Sequence, residues 1–171
     1  VTLTFVLGGA RSGKSRYALA EAEKACGSAD SLVMIATAQA LDEEMAERIA
    51  RHRAERDSRW STVEAPHDLA GAVAALRARQ LAVVDCLTLW LTNRLLAEAD
   101  IEAEVDALIT ALRASPAVIF VISNEVGQGI VPDNALARRF RDDAGRMHQA
   151  LAQAAERVVF VTAGLAQILK G

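Results

Sequence analysis

At 171 residues, 52 % of them hydrophobic, the chain is long enough for one well-buried core and short for two, so one domain over residues 1–171 is expected. Its net charge of −3, with Lys and Arg interleaved among Asp and Glu, argues against nucleic acid as a partner. Cys26 and Cys86 lie outside any metal or redox spacing and no apolar run approaches the roughly 18 residues of a membrane span, so the chain reads as a soluble, untargeted cytoplasmic protein with reduced thiols.

The first element is the apolar run Leu3-Thr4-Phe5-Val6-Leu7, which reads as a buried strand. It feeds Gly8-Gly9-Ala10-Arg11-Ser12-Gly13-Lys14-Ser15, the G-x-x-x-x-G-K-S pattern of a phosphate-binding loop, and then a helix from Lys14 to about Ala25. Gly8 and Gly13 remove Cβ where the backbone must curl, so that its N–H groups and the helix N-terminus form a pocket for polyphosphate. Lys14 adds a point charge at the β- and γ-phosphates, and the Ser15 hydroxyl is a ligand for Mg²⁺. A phosphate loop in an acidic chain points to a nucleoside triphosphate and a small molecule.

Gly27 to Asp30 breaks the helix, and Leu32 to Ala36 reads as a second buried strand with Thr37-Ala38-Gln39 at its C-terminal end, lining the same crevice as the phosphate loop. Asp42 is the expected cap of a helix to about Arg56, with Met45 and Ile49 in its apolar stripe. Arg48, Arg51, His52, Arg53 and Arg56 cluster on that helix. Spacing leaves two readings open: a solvated face balanced by Glu47, Glu55 and Asp57, or a polyphosphate clamp around an imidazole that its cationic neighbours keep unprotonated and nucleophilic.

Trp60 to Glu64 reads as a short extended piece, and Asp68 as the cap of a helix to about Arg79. Leu81-Ala82-Val83-Val84-Asp85 ends an apolar strand, expected beside the phosphate-loop strand, in a carboxylate that either holds Mg²⁺ or caps the helix beginning near Leu87. The stripes of that helix and of the next, Glu102 to Ala114, are core or subunit interface. Ala117 to Ile122 is another buried strand. The loop after it, Ser123 to Pro132, carries Asn124, Glu125, Gly127 and Gly129 at a strand's C-terminal end, as an active-site loop does. Asp133 is the expected cap of a long helix to about Ala155, whose Arg138, Arg139, Arg141 and Arg146 either form ion pairs or bind an anionic substrate. Arg157 to Thr162 is the last strand, and Leu165 to Leu169 a terminal helical turn. The pattern predicts an α/β fold with five buried strands and helices between them.

Four segments together resemble one family: the phosphate loop; Ala36-Thr37-Ala38 with Arg48 to Arg53 downstream; Trp60 to Glu64; and Asn124-Glu125-Val126-Gly127-Gln128-Gly129-Ile130-Val131-Pro132. The chain looks like a bifunctional adenosylcobinamide kinase/adenosylcobinamide-phosphate guanylyltransferase of cobalamin biosynthesis. The resemblance implies a RecA-like P-loop NTPase fold with a mainly parallel sheet, and a homotrimer binding GTP between subunits. It implies that the enzyme phosphorylates adenosylcobinamide with GTP or ATP and then makes adenosyl-GDP-cobinamide through a guanylylated His52. By the same resemblance Ala36, Thr37, Ala38, His52, Arg53, Ala54 and Glu55 are further nucleotide contacts, and Glu64 and Asp85 the carboxylates at the GTP site, Asp85 holding Mg²⁺ directly or through water. Asp57, where the family usually has proline, and His148, where it usually has asparagine, depart from the pattern. Two other readings need less: a P-loop kinase of another small molecule, with His52 as surface, and a RecA-like NTP-driven module.

Overall fold

An apolar run without alternation is stable as a strand only where both faces are covered, and the architecture is built from such runs. The computed structural model describes residues 2–28, 30–39 and 58–171. In chain order its elements are β1 (Leu3–Gly8), α1 (Lys14–Ala25), β2 (Ser31–Ala36), β3 (Trp60–Glu64), α2 (Leu69–Ala74), β4 (Gln80–Asp85), α3 (Leu87–Leu96), α4 (Ile101–Ala114), β5 (Val118–Asn124), α5 (Ala135–Ala154), β6 (Arg157–Thr162) and β7 (Leu165–Lys170). The helix expected from Asp42 to Arg56, the Arg48 to Arg56 cluster with His52, Arg53, Ala54 and Glu55, and Asp57 lie outside the described residues.

The strands form one seven-stranded sheet in the order β3-β2-β4-β5-β1-β6-β7, parallel except for β7. Side chains of successive strand residues enter opposite layers, as the period of two requires. Phe5, Val33, Ile35, Ala82, Val84, Ile119 and Val121 pack on one face against Leu69 and Val73 of α2, Trp90 and Leu91 of α3, Leu108 of α4, and Met147 and Leu151 of α5. Val6, Leu32, Met34, Leu81, Val83, Phe120 and Ile122 face the other layer, where Ala18 and Ala22 of α1 meet them. Each large aliphatic or aromatic side chain so buried contributes about 1.5–3 kcal/mol. The two alanines, one helical turn apart, let α1 lie close to the sheet with its N-terminus at the end of β1.

Several expectations are corrected. Leu165 to Leu169 is no helical turn: Ala163 and Gly164, with φ of 52° and 79°, make a two-residue turn that returns β7 antiparallel along β6. The five buried strands are therefore joined by two edge strands, β3 and β7. Lys170 at the end of β7 then donates to the carbonyls of Ala152, Gln153 and Ala155, satisfying the exposed C-terminal turn of α5. The cap of α5 is Asn134, whose side chain accepts from Ala137 N–H, in place of the expected Asp133. The helix after Asp68 stops at Ala74, short of Arg79, although Asp68 caps it as expected by accepting from Gly71 N–H. Cys86, one residue past Asp85, stands at the N-cap position of α3 and makes no side-chain cap hydrogen bond.

Candidate active site

β1 is an interior strand between β5 and β6, and the turn at its C-terminal end is the predicted phosphate loop. Gly13 has φ of 95°, a conformation costing a residue with a Cβ about 1–2 kcal/mol. A Cβ on Gly8 would stand 2.6 Å from Ser12 Oγ and 2.6 Å from the Val161 carbonyl oxygen, whereas one on Gly9 would meet nothing within 4 Å. The loop is thus wedged against β6 on one side and open on the other. Ser12 N–H donates to Gly9 O at 3.3 Å, and Gly164 N–H, from the β6–β7 turn, donates to Ser12 O at 2.8 Å. Lys14 is buried, with Nζ 3.1 Å from the Gly9 carbonyl oxygen, its ammonium folded back across the loop. Ser12 Oγ is buried without a hydrogen-bond partner, an unmet polar group of the kind that a bound ligand satisfies. Ser15 is half-buried in the first turn of α1, and Ala10 and Arg11 form the exposed crest of the loop.

The other predicted residues collect at the same end of the sheet. Ala36 of β2 is in register with Glu64 of β3 on one side and Asp85 of β4 on the other, so the three form a row at the strands' carboxyl ends. Asn124, the last residue of β5, is in register with Gly8. Asp85 is not on the strand next to β1 as expected; β5 intervenes. Two strand spacings, about 10 Å, separate the Asp85 strand from the phosphate loop, a gap that a triphosphate with its metal ion can bridge.

Thr37 departs from its expected place on the crevice surface. Its side chain is fully buried: the hydroxyl donates to Cys86 O at 2.7 Å and accepts from Cys86 N–H at 2.9 Å. It therefore clamps the ends of β2 and β4 together. Asn93 of α3 completes the clamp, donating from Nδ2 to the carbonyls of Thr37 and Pro66, both at 2.9 Å. Burial, and after it the Asp85 charge, push the Cys86 thiol up from its ordinary pKa, so it remains a neutral packing group. Ala38 follows half-buried.

The Asn124 to Pro132 loop is bound to the site at its root, where Glu125 N–H donates to Gly8 O at 3.0 Å. Gly127 N–H donates to the Glu125 carboxylate, and Gly129 lies farther along the exposed stretch. The arginines of α5 divide their work. Arg141 donates to the Gly127 carbonyl, and Arg138 to those of Pro132 and Asp133, holding the loop, whereas Arg139 and Arg146 pair with Asp143. His148, at the departure from the resemblance, is buried beneath the loop with Nε2 2.7 Å from Ser123 Oγ. Burial holds its pKa below the ordinary histidine value, and Glu125 partly opposes that.

Sequence reasoning missed the side chains that hold this arrangement: Asn93, Thr88, Ser123 and the side-chain role of Thr37. Asn93 did carry a signal, an amide close to the apolar Leu87, Trp90, Leu91 and Leu95 of the Leu87–Leu96 helix. Thr37 and Ser123 find their partners far along the chain, as Thr88 finds Asn124, and nothing local announces them.

A glycine phosphate loop between β1 and α1, with one strand separating β1 from the carboxylate strand, defines the P-loop NTPase fold of the RecA-like kind. A solved prototypical ATPase from the type III secretion system of pathogenic bacteria has the same fold, at a TM-score of 0.59 and 13 % identity, the match covering 94 % of this chain and 51 % of that one. The family model described as cobinamide kinase / cobinamide phosphate guanyltransferase matches residues 4–169, and the chain belongs to that family of bifunctional enzymes. It is 49 % identical to the bifunctional adenosylcobalamin biosynthesis protein CobP of Pseudomonas aeruginosa over 97 % of this chain and 96 % of that protein. It is 40 % identical to the protein CobU of Escherichia coli, named in the same way, over 98 % of this chain and 99 % of that protein. Among the described residues no helix is long and apolar enough to cross a membrane.

Proposed function

We propose that the chain, as a single domain, phosphorylates adenosylcobinamide with GTP or ATP. It then transfers GMP from GTP, through a guanylyl-histidine at His52, to adenosylcobinamide phosphate, yielding adenosyl-GDP-cobinamide and pyrophosphate. The observation that carries this reading is the phosphate loop, with Lys14 folded across it and Ser12 Oγ unpartnered, set at the same sheet end as Asn124 and the Glu64–Ala36–Asp85 row.

In the first step the N–H groups of Gly8 to Ser15 cradle the β- and γ-phosphates. Lys14 exchanges the Gly9 carbonyl for phosphate oxygens. Ser15 and Asp85 offer the hard oxygen donors that Mg²⁺ takes, alongside phosphate oxygens and water, and the ion supplies neutralisation of phosphate charge. A hydroxyl oxygen of the cobinamide bonds to the γ-phosphorus as the β,γ-bridging P–O bond breaks; the nucleoside diphosphate leaves and the hydroxyl proton passes to solvent. In the second step a His52 nitrogen bonds to the α-phosphorus of GTP and pyrophosphate leaves. A phosphate oxygen of the new cobinamide phosphate then takes over that phosphorus, breaking the P–N bond. Ala36, Ala38, Arg53, Ala54, Glu55 and Glu64 complete the nucleotide contacts in this reading, and the working form is a cytoplasmic homotrimer.

The experiment is intact-protein and peptide mass spectrometry after incubation with GTP and Mg²⁺. A GMP adduct on His52, discharged by cobinamide phosphate, is expected. No adduct on folded protein overturns the transferase half, and an adduct that survives His52→Ala overturns His52 as the nucleophile. A monomer mass by light scattering at micromolar concentration overturns the trimer.

A further inference from the structure

Thr88 belongs to none of the recognised motifs, yet its side chain stands at a junction of the site. It is buried in the first turn of α3, directly behind the Asp85 strand, with Oγ1 2.9 Å from Asn124 Nδ2 and 3.1 Å from Cys86 Sγ. Other helical threonines here bond to their own helix: Thr92 donates to the Thr88 carbonyl and Thr110 to that of Asp106. Thr88 instead crosses to the next strand. Whichever partner supplies the proton of its contact with Cys86, its oxygen keeps a lone pair for the Asn124 amide.

The consequence falls on Asn124. That residue is the last of β5, in register with Gly8 of the phosphate loop on one side and on the strand next to β4 on the other. β5, which Asn124 ends, therefore lies between the strand of the phosphate loop and the strand of Asp85. A primary amide is planar, so a donor held at one end fixes the other. With Nδ2 given to Thr88, Oδ1 is the acceptor end left to the half-buried crevice. In phosphoryl transfer the group that orients the attacking hydroxyl must accept its hydrogen bond in line with the γ-phosphorus. A freely rotating amide would present its N–H₂ end part of the time, and that end cannot accept a hydroxyl hydrogen.

We infer that Thr88 is a positioning residue: its hydroxyl locks the Asn124 carboxamide with Oδ1 toward the phosphoryl-transfer site, where Oδ1 accepts the hydrogen bond of the attacking substrate hydroxyl. This rests on the kinase step proposed above and adds to it a residue and an orientation. Thr88 acts on the turnover of bound substrate, whereas nucleotide affinity rests on the phosphate loop.

The test is steady-state kinetics of cobinamide phosphorylation by the full chain, with GTP affinity measured separately, for wild type, Thr88→Val, Thr88→Ser, Asn124→Ala and the Thr88→Val/Asn124→Ala double variant. Thr88→Val keeps the shape and removes the hydroxyl. It is expected to lower kcat roughly 10- to 100-fold, the range one orienting hydrogen bond supplies, with GTP affinity within about two-fold of wild type. Thr88→Ser is expected to restore most of kcat, and the double variant to be no worse than Asn124→Ala alone, since the two residues act as one unit. An unchanged kcat in Thr88→Val overturns the inference, as does a Thr88→Ser variant equally impaired, which would mark a packing role. Additive losses in the double variant overturn it too. Wild-type protein that phosphorylates no cobinamide overturns the kinase reading itself, and this inference with it; the other failures leave that reading standing.

Discussion

Asn93→Ala is the most direct test of how the nucleotide crevice is held. Asn93 is 7 % exposed, and its Nδ2 supplies two hydrogen bonds at 2.9 Å, to Thr37 O at the end of β2 and to Pro66 O in the segment after β3. Truncation leaves both carbonyls without that donor, one in a buried and one in a partly buried setting. A buried acceptor so abandoned costs about 1–3 kcal/mol, and one of the two is only partly buried, so the expected loss of stability is about 2–4 kcal/mol. For a chain of this length that lowers Tm by roughly 5–15 °C. Asn93→Asp, which keeps the shape but turns an oxygen toward two carbonyl oxygens, should be at least as damaging at neutral pH. The assay is urea unfolding followed by circular dichroism, with the midpoint falling and the m value unchanged. GTP affinity should fall in parallel, because the Ala36–Thr37 end of β2 loses its anchor. A loss below about 0.5 kcal/mol, the scale of an ordinary surface substitution, would refute the reasoning.

Gly8→Ala places a methyl group 2.6 Å from the Val161 carbonyl oxygen, and β1 cannot yield without unpairing from β6; GTP affinity should drop roughly ten-fold or more, read by calorimetry. Lys14→Ala should reduce both the kinase and the GMP-transfer rates by at least about 100-fold, each measured with its own labelled product, because both steps need the triphosphate held. Acid should weaken the fold through His148. Its folded pKa lies below the ordinary histidine value, so the unfolded chain takes up its proton first, and stability falls as pH drops from that value toward the folded one. Urea midpoints measured from neutral pH to about pH 5 should show a shallower acid decline in His148→Gln, and identical slopes would refute the linkage.

The central strands and the phosphate loop were legible because both are local signals. A buried parallel strand must be an apolar run, and a tight loop around phosphate needs glycine at Gly8 and Gly13. The edges were less legible. Leu165 and Leu169 lie four apart and mimic a helical stripe, while the turn that decides the matter, Ala163-Gly164, offers only one glycine as its sign. Glu64, Ala36 and Asp85 were each recognisable singly, but the row they form follows from strand order, which a single sequence does not spell out. The same holds for Thr37 with Cys86 and Asn93 with Thr37: partners about fifty residues apart meet only because β2 and β4 are neighbours. The arginines of α5 show a different limit. Spacing offered ion pairing or anion binding, and the fold uses two for ion pairs and two to hold loop carbonyls.

The bond from Gly164 N–H to Ser12 O sets an order of events for synthesis on the ribosome. The phosphate loop is translated before β5 and β6, but β1 lies between those two strands, and the loop's own carbonyl waits for a turn beyond β6. A nascent chain therefore carries the glycine motif before its sheet has closed, and the apolar segment Leu3–Gly8 stays without its neighbours until β5 and β6 have been made. A nucleotide that binds this loop would stabilise only chains that have closed the sheet around β1.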